Sequence, residues 1–353
     1  MQNALDLDLT KTDCVVVVPT LNEEKTIRRC VESLLDQTDT GLTIVVTDGG
    51  SRDATRAIVR GMMKHESRLH LVDNPGVIQS IGVNMAARHA MAQRVKWLIR
   101  ADAHMVYSPN FVESLILAAK QTGASAVVVS MRAVGESCFQ KAAAAAQNSR
   151  LGNGGAAHRR AYSSQFVDHG HHALFDLERF CLIGGYDEAF SHNEDFEFDI
   201  RMRKAGGTIW LTASATIDYV PRPSPRALAV QYFRHGKGRA RTIAKHAVRP
   251  KLRQVLPIVA LLCNCLGIAM SPWIPALALL AAAYCTVCLS WGAILGLHDR
   301  DLCSVASGVP AAIMHHSWAL GLCVGLVIHL NSQAHGTGCS KKAVMVNGRR
   351  SPE

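Results

Sequence analysis

Two stretches of this chain, 254–298 and 302–340, contain no Asp, Glu, Lys or Arg. Charge-free apolar runs of that length exceed the roughly 20 residues needed for a helix to cross a bilayer. They predict a membrane region at 254–332 with two or three spans, followed by a basic tail at 333–353. Just before them, ten basic residues and no acidic one lie between Arg222 and Arg253. The whole chain has 38 Lys and Arg against 28 Asp and Glu, so this segment supplies the entire net charge of +10. It reads as an interfacial helix at 222–253, attracted to anionic lipid by about 1 kcal/mol per cation near the surface. A nucleic-acid binder has no use for the apolar runs, so no nucleic-acid partner is expected.

Residues 1–221 form the expected front domain. Its N-terminus lacks a basic region followed by an apolar one, which places this domain in the cytoplasm, at the face of the inner membrane. The eleven cysteines are scattered and suit a reducing compartment; Cys285-x-x-Cys288, inside an apolar run, reads as membrane-helix packing. Spans at 255–270, 273–297 and 305–330 would put the basic tail outside, against the preference for cations inside. The first run is short and contains Pro257, Asn264 and Gly267. It is therefore expected to dip in and return, leaving two crossings and a cytoplasmic tail.

The front domain alternates strand-like and helix-like segments. Cys14–Val18 is a β-branched run of the kind buried on both faces of a sheet. Asn22 is placed to cap a helix beginning at Glu23 and Glu24, and Ser51 another. Further strands are expected at 42–47, 70–72, 95–99, 126–130 and 173–181, with helices from 77 to 92, after Pro109, from Asn193 to Lys204, and from Ser224 to His246. Residues 131–161, rich in Ala and Gly, read as a loop over the site. Such alternation predicts an α/β fold with a doubly wound, mostly parallel sheet, which binds ligands at the carboxyl ends of its strands.

Polar clusters fall at those ends. Pro19-Thr20-Leu-Asn22-Glu23-Glu24 follows the first strand and Asp48-Gly49-Gly50-Ser51-Arg52-Asp53 the second. Asn84 lies on the third helix, Asp102-Ala-His104 ends the fourth strand, and Glu194-Asp195 opens a late helix. Gln231-x-x-Arg234-His235 lies in the basic segment. Neither a P-loop lysine motif nor a GxGxxG fingerprint is present. Asp48, at a strand end before two glycines, suits a hydrogen bond from a nucleobase N–H, with the glycines allowing close backbone approach.

In order and in placement, these motifs resemble family-2 glycosyltransferases, inverting enzymes of GT-A fold, over about residues 13–245. The Asp102-Ala-His104 triplet and the Tyr219-Val-Pro-Arg-Pro-Ser stretch are similar to the ExoA-type enzymes of succinoglycan-like exopolysaccharide synthesis. The resemblance implies that Pro19, Thr20, Asn22, Glu23, Asp48, Gly49, Asn84, Asp102 and Arg234 bind a nucleotide-sugar donor. It also implies a divalent cation, Mn or Mg, on Asp102 and His104. Family members usually carry Asp-x-Asp here, and the imidazole of His104 favours manganese. Asp195 matches the catalytic base. Glu194, Gly185, Tyr186 and Gln231 fall on the acceptor side.

His235 stands where polymerising relatives carry Trp, which implies transfer of a single sugar. The narrower resemblance implies UDP-glucose as donor and an undecaprenyl-diphosphate-linked galactose acceptor, joined β-1,3. Alternatives are a processive polysaccharide synthase and a catalytically silent nucleotide-binding scaffold. His169-Gly-His171-His172 lacks accompanying metal-ligand residues and reads as an acceptor-side loop or polar surface. His315-His316, within an apolar run, has no assigned role.

Overall fold

The computed structural model describes residues 7–38, 41–155 and 163–336. The first half is built as expected: β1 (Cys14–Thr20), α1 (Ile27–Leu35), β2 (Leu42–Asp48), α2 (Thr55–Met63), β3 (Leu69–Asp73), α3 (Gln79–Ala92), β4 (Trp97–Arg100), α4 (Phe111–Thr122) and β5 (Ala126–Ala133). Then come α5 (Cys138–Asn148), α6 (Arg150–Asn153), β6 (Gln165–Phe166), β7 (His171–Asp176), α7 (Leu177–Leu182), α8 (Glu194–Lys204) and β8 (Ile209–Tyr219). The C-terminal part is helical: α9 (Pro225–His246), α10 (Leu252–Met270), α11 (Ala278–Asp299), α12 (Leu302–Val305) and α13 (Gly308–Gly336).

The sheet runs β3-β2-β1-β4-β7-β5-β8-β6. β1 to β4 pair in parallel, as do β5 and β8, whereas β7 is antiparallel to both β4 and β5. β1 shows why a continuous valine run belongs here. Side chains alternate between the two faces of a strand, and Val16 and Val18 pack with α1 and α4 while Val15 and Val17 pack with α3 and α7. Both faces are covered, so polar alternation is absent; each buried valine contributes about 1.5–3 kcal/mol.

Several local expectations need correction. Residues 131–161 are not simply a loop. Ser137 and Gln140 form a capping box that starts α5, and the alanine run behind it is the best helix former there is; 156–161 of this stretch fall outside the described residues. The strand expected through Cys181 stops at Asp176, whose side chain accepts from the Arg179 N–H and caps α7. Asn22 and Ser51 cap no helix. Asn22 adopts φ +57, its N–H donates to Ser51 Oγ, and its Oδ1 accepts from the Arg52 N–H, so the two residues join the first two strand-end loops.

The cysteines are not all free. Cys138 of α5 and Cys303 of α12 form a disulfide with a Cα separation of 5.1 Å, because α12 packs directly on α5.

Among the described residues, three C-terminal helices are long and apolar enough to cross a membrane. The segment expected to dip and return is an uninterrupted helix of 19 residues. Lys251, just before it, pairs with Asp168 of the front domain, and α11 leads back to that domain at the Cys138–Cys303 link. α10 therefore leads away from the front domain and α11 leads back to it. α13 instead runs alongside α9. A Cβ at Gly236 would collide with the Trp318 carbonyl, and one at Gly321 with the Phe233 carbonyl. Small residues are what allow two helix backbones to approach this closely. Ala311 and Met314 of α13 share a buried cluster with Leu228 of α9 and with Ala143 and Ala146 of α5. His315 bonds to Tyr284 and to the Leu151 carbonyl, and His316 to Asn264; these two histidines join α13 to its neighbours.

Candidate active site

The parallel strands deliver their polar loops to one edge. β1 and β2 end together, Thr20 opposite Asp48, and the Gly49 N–H donates to the Thr20 carbonyl. Glu23 N–H donates to Thr55 Oγ1 and Glu24 N–H to Asp53. The loop after Pro19 is thus fastened to the loop after Asp48. Asp48 is buried; its Oδ2 accepts from the Gly50 and Ser51 N–H groups and from Arg56 at 2.7 Å. Burial raises its affinity for a proton, but Ser51 and Arg56 outweigh that and hold it below the ordinary carboxylate range. Its Oδ1 is buried with no hydrogen-bond partner. An unpaired buried carboxylate oxygen is costly, and a donor N–H from a bound ligand would satisfy it. A Cβ at Gly49 would press on the Val77 carbonyl, which accounts for the glycine.

Asp102 and His104 do not lie on an extended strand end. The Met105 N–H donates back to the Asp102 carbonyl, and in this turn His104 stays within electrostatic reach of Asp102. His104 leans toward Glu23, 3.9 Å away. Asp102 Oδ2 instead meets His171 Nε2 at 3.3 Å, with Arg100 at 3.6 Å from Oδ1. Burial pushes Asp102 up, but the His171 hydrogen bond and the Arg100 charge prevail and hold it well below the usual carboxylate range. Among the described residues, no three His, Cys, Asp or Glu side chains converge as a metal cage. Asp102 fits a cation that takes its remaining ligands from a diphosphate and water, as Mg sites on nucleotides do.

The Glu194-Asp195 pair divides its work. Glu194 is buried and accepts from Arg100 Nη1 at 3.0 Å and from Gln79, so it braces α8 against β4. Asp195 is half-buried in the first turn of α8. Arg239 of α9 lies within electrostatic reach of it and stacks 3.4 Å above the Phe196 ring. Burial lowers the Arg239 guanidinium to about 10, still protonated at neutral pH. Its Nε and Nη1 are buried without partners.

Other expected residues turn inward. Asn84 is buried; its Nδ2 donates to the Tyr186 carbonyl and its Oδ1 accepts from the Tyr186 N–H. This geometry supports holding the 184–188 turn in place of touching a nucleotide. Gly185 adopts φ +66 and a Cβ there would strike Asn84. Tyr186 is 2% exposed beneath Arg100, so its role is packing, not contact with an acceptor. Gln231 donates to Tyr219 Oη at 2.8 Å. Arg234 is exposed and lines a 440 Å³ cleft with His192, Gln231 and His235.

Sequence reasoning missed Arg100 and Arg239, and it read His171 as part of an acceptor-side loop or polar surface, where the structure puts it at the start of β7 against Asp102. Arg100 was open to it: a cation at the end of a buried strand, two residues before the acid. His171 was not, because its strand inserts antiparallel between β4 and β5.

The sequence profile described as Glycosyl transferase family 2 matches residues 15–180. The succinoglycan biosynthesis protein ExoA of Rhizobium meliloti is 42% identical over 316 residues, 89% of this chain and 95% of that protein. The chain is a family-2 glycosyltransferase. An uncharacterized glycosyltransferase of Haemophilus influenzae is 26% identical over 104 residues, 29% of the enzyme and 31% of that protein. Among solved structures, the enzyme superposes on the mannosyltransferase PcManGT from Pyrobaculum calidifontis, in complex with GDP-Man and Mn2+. The TM-score is 0.55 with 18% identity, covering 91% of this chain and 88% of that one. That likeness carries the fold: the mixed, mostly parallel sheet is of GT-A type, with three apolar helices behind it.

Proposed function

We propose that the enzyme transfers one sugar, glucose from UDP-glucose, with inversion, onto an undecaprenyl-diphosphate-linked saccharide in the synthesis of a succinoglycan-like exopolysaccharide. The observation that carries this reading is the Arg100 bridge, with Glu194 at 3.0 Å and Asp102 at 3.6 Å. It holds a donor-side acid and the helix bearing Asp195 against one cleft. The relatedness to ExoA supports the pathway, and the unpartnered Asp48 Oδ1 supports a base with an N–H to give, such as uracil.

The acceptor hydroxyl oxygen forms a bond to the anomeric carbon from the face opposite the nucleotide. The bond from that carbon to the diphosphate oxygen breaks, and its electron pair leaves with the nucleoside diphosphate. Asp195 takes the hydroxyl proton. Pro19, Thr20, Asn22, Glu23, Asp48 and Gly49 hold the nucleotide, and Arg234 pairs with the diphosphate. Asp102, with His104 beside it, would hold Mn or Mg, which when bound neutralises the leaving group. His171 keeps Asp102 charged and oriented.

α10 and α11 cross the inner membrane and return, while α13 lies along α9, so the catalytic domain and the tail are both cytoplasmic. Reporter fusions at 274 and 353 test this: an external signal at 274 and an internal one at 353 are expected, and any other pairing sinks it. The activity is tested with membranes containing the protein, screened for nucleoside diphosphate release from UDP- and GDP-sugars with a lipid-linked acceptor. Release from UDP-glucose, dependent on acceptor, is expected. Activity with another donor alone overturns the assignment of glucose, and the absence of release from every donor overturns the transfer reading.

A further inference from the structure

The N-terminal half of α9 carries more cations than the donor diphosphate, assigned to Arg234, would use. Arg222, Arg226 and Arg234 line one cleft, and among the described residues none forms an ion pair or hydrogen bond with their guanidinium groups. Their spacing of four and eight residues places Arg226 and Arg234 on one stripe of the helix, with Arg222 just before it. The cleft also includes Ser224 and Ala227. The Ser224 hydroxyl caps α9 by accepting from the Ala227 N–H, so the positive end of a 22-residue helix dipole is directed here. No acidic residue occurs between Arg222 and Arg253. Both the arginines and the helix end call for a multiply charged anion.

A second cavity of 490 Å³, a shallow chamber open along most of its face, adjoins the first through Arg226, which lines both. Its other walls are Pro225 and Ala229 of α9 and Ala312 and Ile313 of α13, with His316 and Ser317 at the side. This chamber is predominantly apolar and formed partly by one of the three apolar helices. His192, three residues before Asp195, lies in the arginine cleft. Back along α9, the order is therefore Arg239, which lies within electrostatic reach of Asp195, then Arg234, then Arg226 with Arg222 just before the helix, then the apolar chamber. Arg226 and Arg234 are eight residues apart, about 12 Å of helix, which leaves room for a donor diphosphate at one end and a second diphosphate at the other.

We propose that Arg222, Arg226 and the N-terminus of α9 bind the diphosphate of a prenyl-diphosphate-linked acceptor, and that the chamber between α9 and α13 takes its first isoprene units. The saccharide then extends past Arg234 toward Asp195. An anion joined to an apolar chain matches the cleft and the chamber in this order, whereas a soluble sugar phosphate leaves the chamber empty. This assignment rests on the acceptor proposed above and adds the residues that select it. Guanidinium pairing with a diphosphate is bidentate and short, so the arginines fix position as well as supply charge.

The test uses the full-length protein in detergent micelles, with farnesyl diphosphate, inorganic diphosphate, UDP and phosphatidylglycerol as titrants. The double variant Arg222→Ala with Arg226→Ala should bind farnesyl diphosphate about 10- to 100-fold more weakly, with UDP affinity within about twofold of wild type. Ile313→Trp, which fills the chamber, should weaken farnesyl diphosphate and leave inorganic diphosphate unchanged. Wild-type affinity for farnesyl diphosphate in the double variant overturns the proposal. So does displacement of farnesyl diphosphate by phosphatidylglycerol at equal concentration, which would make the stripe a general lipid surface. Because these titrations need no turnover, a failure of the glucosyl-transfer reading appears separately, in the donor screen.

Discussion

The Arg100 guanidinium donates to the Glu194 carboxylate at 3.0 Å, both side chains nearly buried. This contact joins the end of β4 to the start of α8, elements 94 residues apart in sequence. Asp102, two residues after Arg100, and Asp195, next to Glu194, are the two acids to which the proposal assigns metal binding and proton transfer. Removing one partner of a buried pair leaves the other charge uncompensated, at about 3–5 kcal/mol. Arg100→Met should therefore lower unfolding stability by about that amount. The double variant with Glu194→Met should recover a large part. Denaturant unfolding of the detergent-solubilised protein measures both, and a single variant as stable as wild type would remove the pair from the framework.

Asp195→Asn keeps the shape of the side chain and removes its capacity to take a proton. Turnover should fall by about 10²–10⁴-fold or more, while UDP binding is retained. Steady-state rates beside a nucleotide titration separate the two effects. Turnover within a few-fold of wild type would exclude Asp195 as the base.

Chelation addresses Asp102. Activity should vanish in excess EDTA and return more fully with manganese than with magnesium, since an imidazole neighbour favours manganese. Asp102→Ala should abolish recovery with either ion. His104→Ala should shift the manganese-to-magnesium ratio without abolishing activity. Full activity in EDTA would exclude a cation from the reaction.

Stability should respond to acid in a defined window. Asp48 and Asp102 both titrate below the ordinary carboxylate range, so their folded forms favour the ionised state over the unfolded chain. The stability they contribute is fully present above about pH 4, the unfolded value, and is withdrawn as pH falls toward their lower folded values. Thermal unfolding should be insensitive to these two groups between pH 8 and 5 and should fall below about pH 4. In Asp48→Asn that acid-side decline should be shallower; an unchanged slope would contradict the role given to Asp48.

Much of this was legible from local pattern. Valine runs buried on both faces, glycines after Asp48 and the basic segment from Ser224 each leave a mark within a few residues, and the corresponding strands, turn and helix form where expected, the helix one residue later at Pro225. The missed features depend on contacts distant in sequence. His171 reaches Asp102 only because β7 inserts antiparallel beside β4. Asn84 looks like a site residue until the 184–188 turn folds over it. The Ala-rich stretch after Ser137 failed for another reason: alanine in a helix packed by small contacts carries little amphipathic signal, although its propensity is high.

The close seam between α9 and α13 limits the modularity of this enzyme. A fragment ending near residue 250 would retain the catalytic sheet but expose Gly236 and Leu228, which α13 otherwise covers. A graft of the catalytic part onto a foreign membrane tail would lose the same backing. The smallest exchangeable cassette therefore runs past the apolar hairpin to include α13, and the helix carrying Arg226 and Arg234 is shaped by residues nearly a hundred positions downstream. Sequence divergence in α13 would thus be felt at the sugar-transfer cleft without any change in a cleft residue.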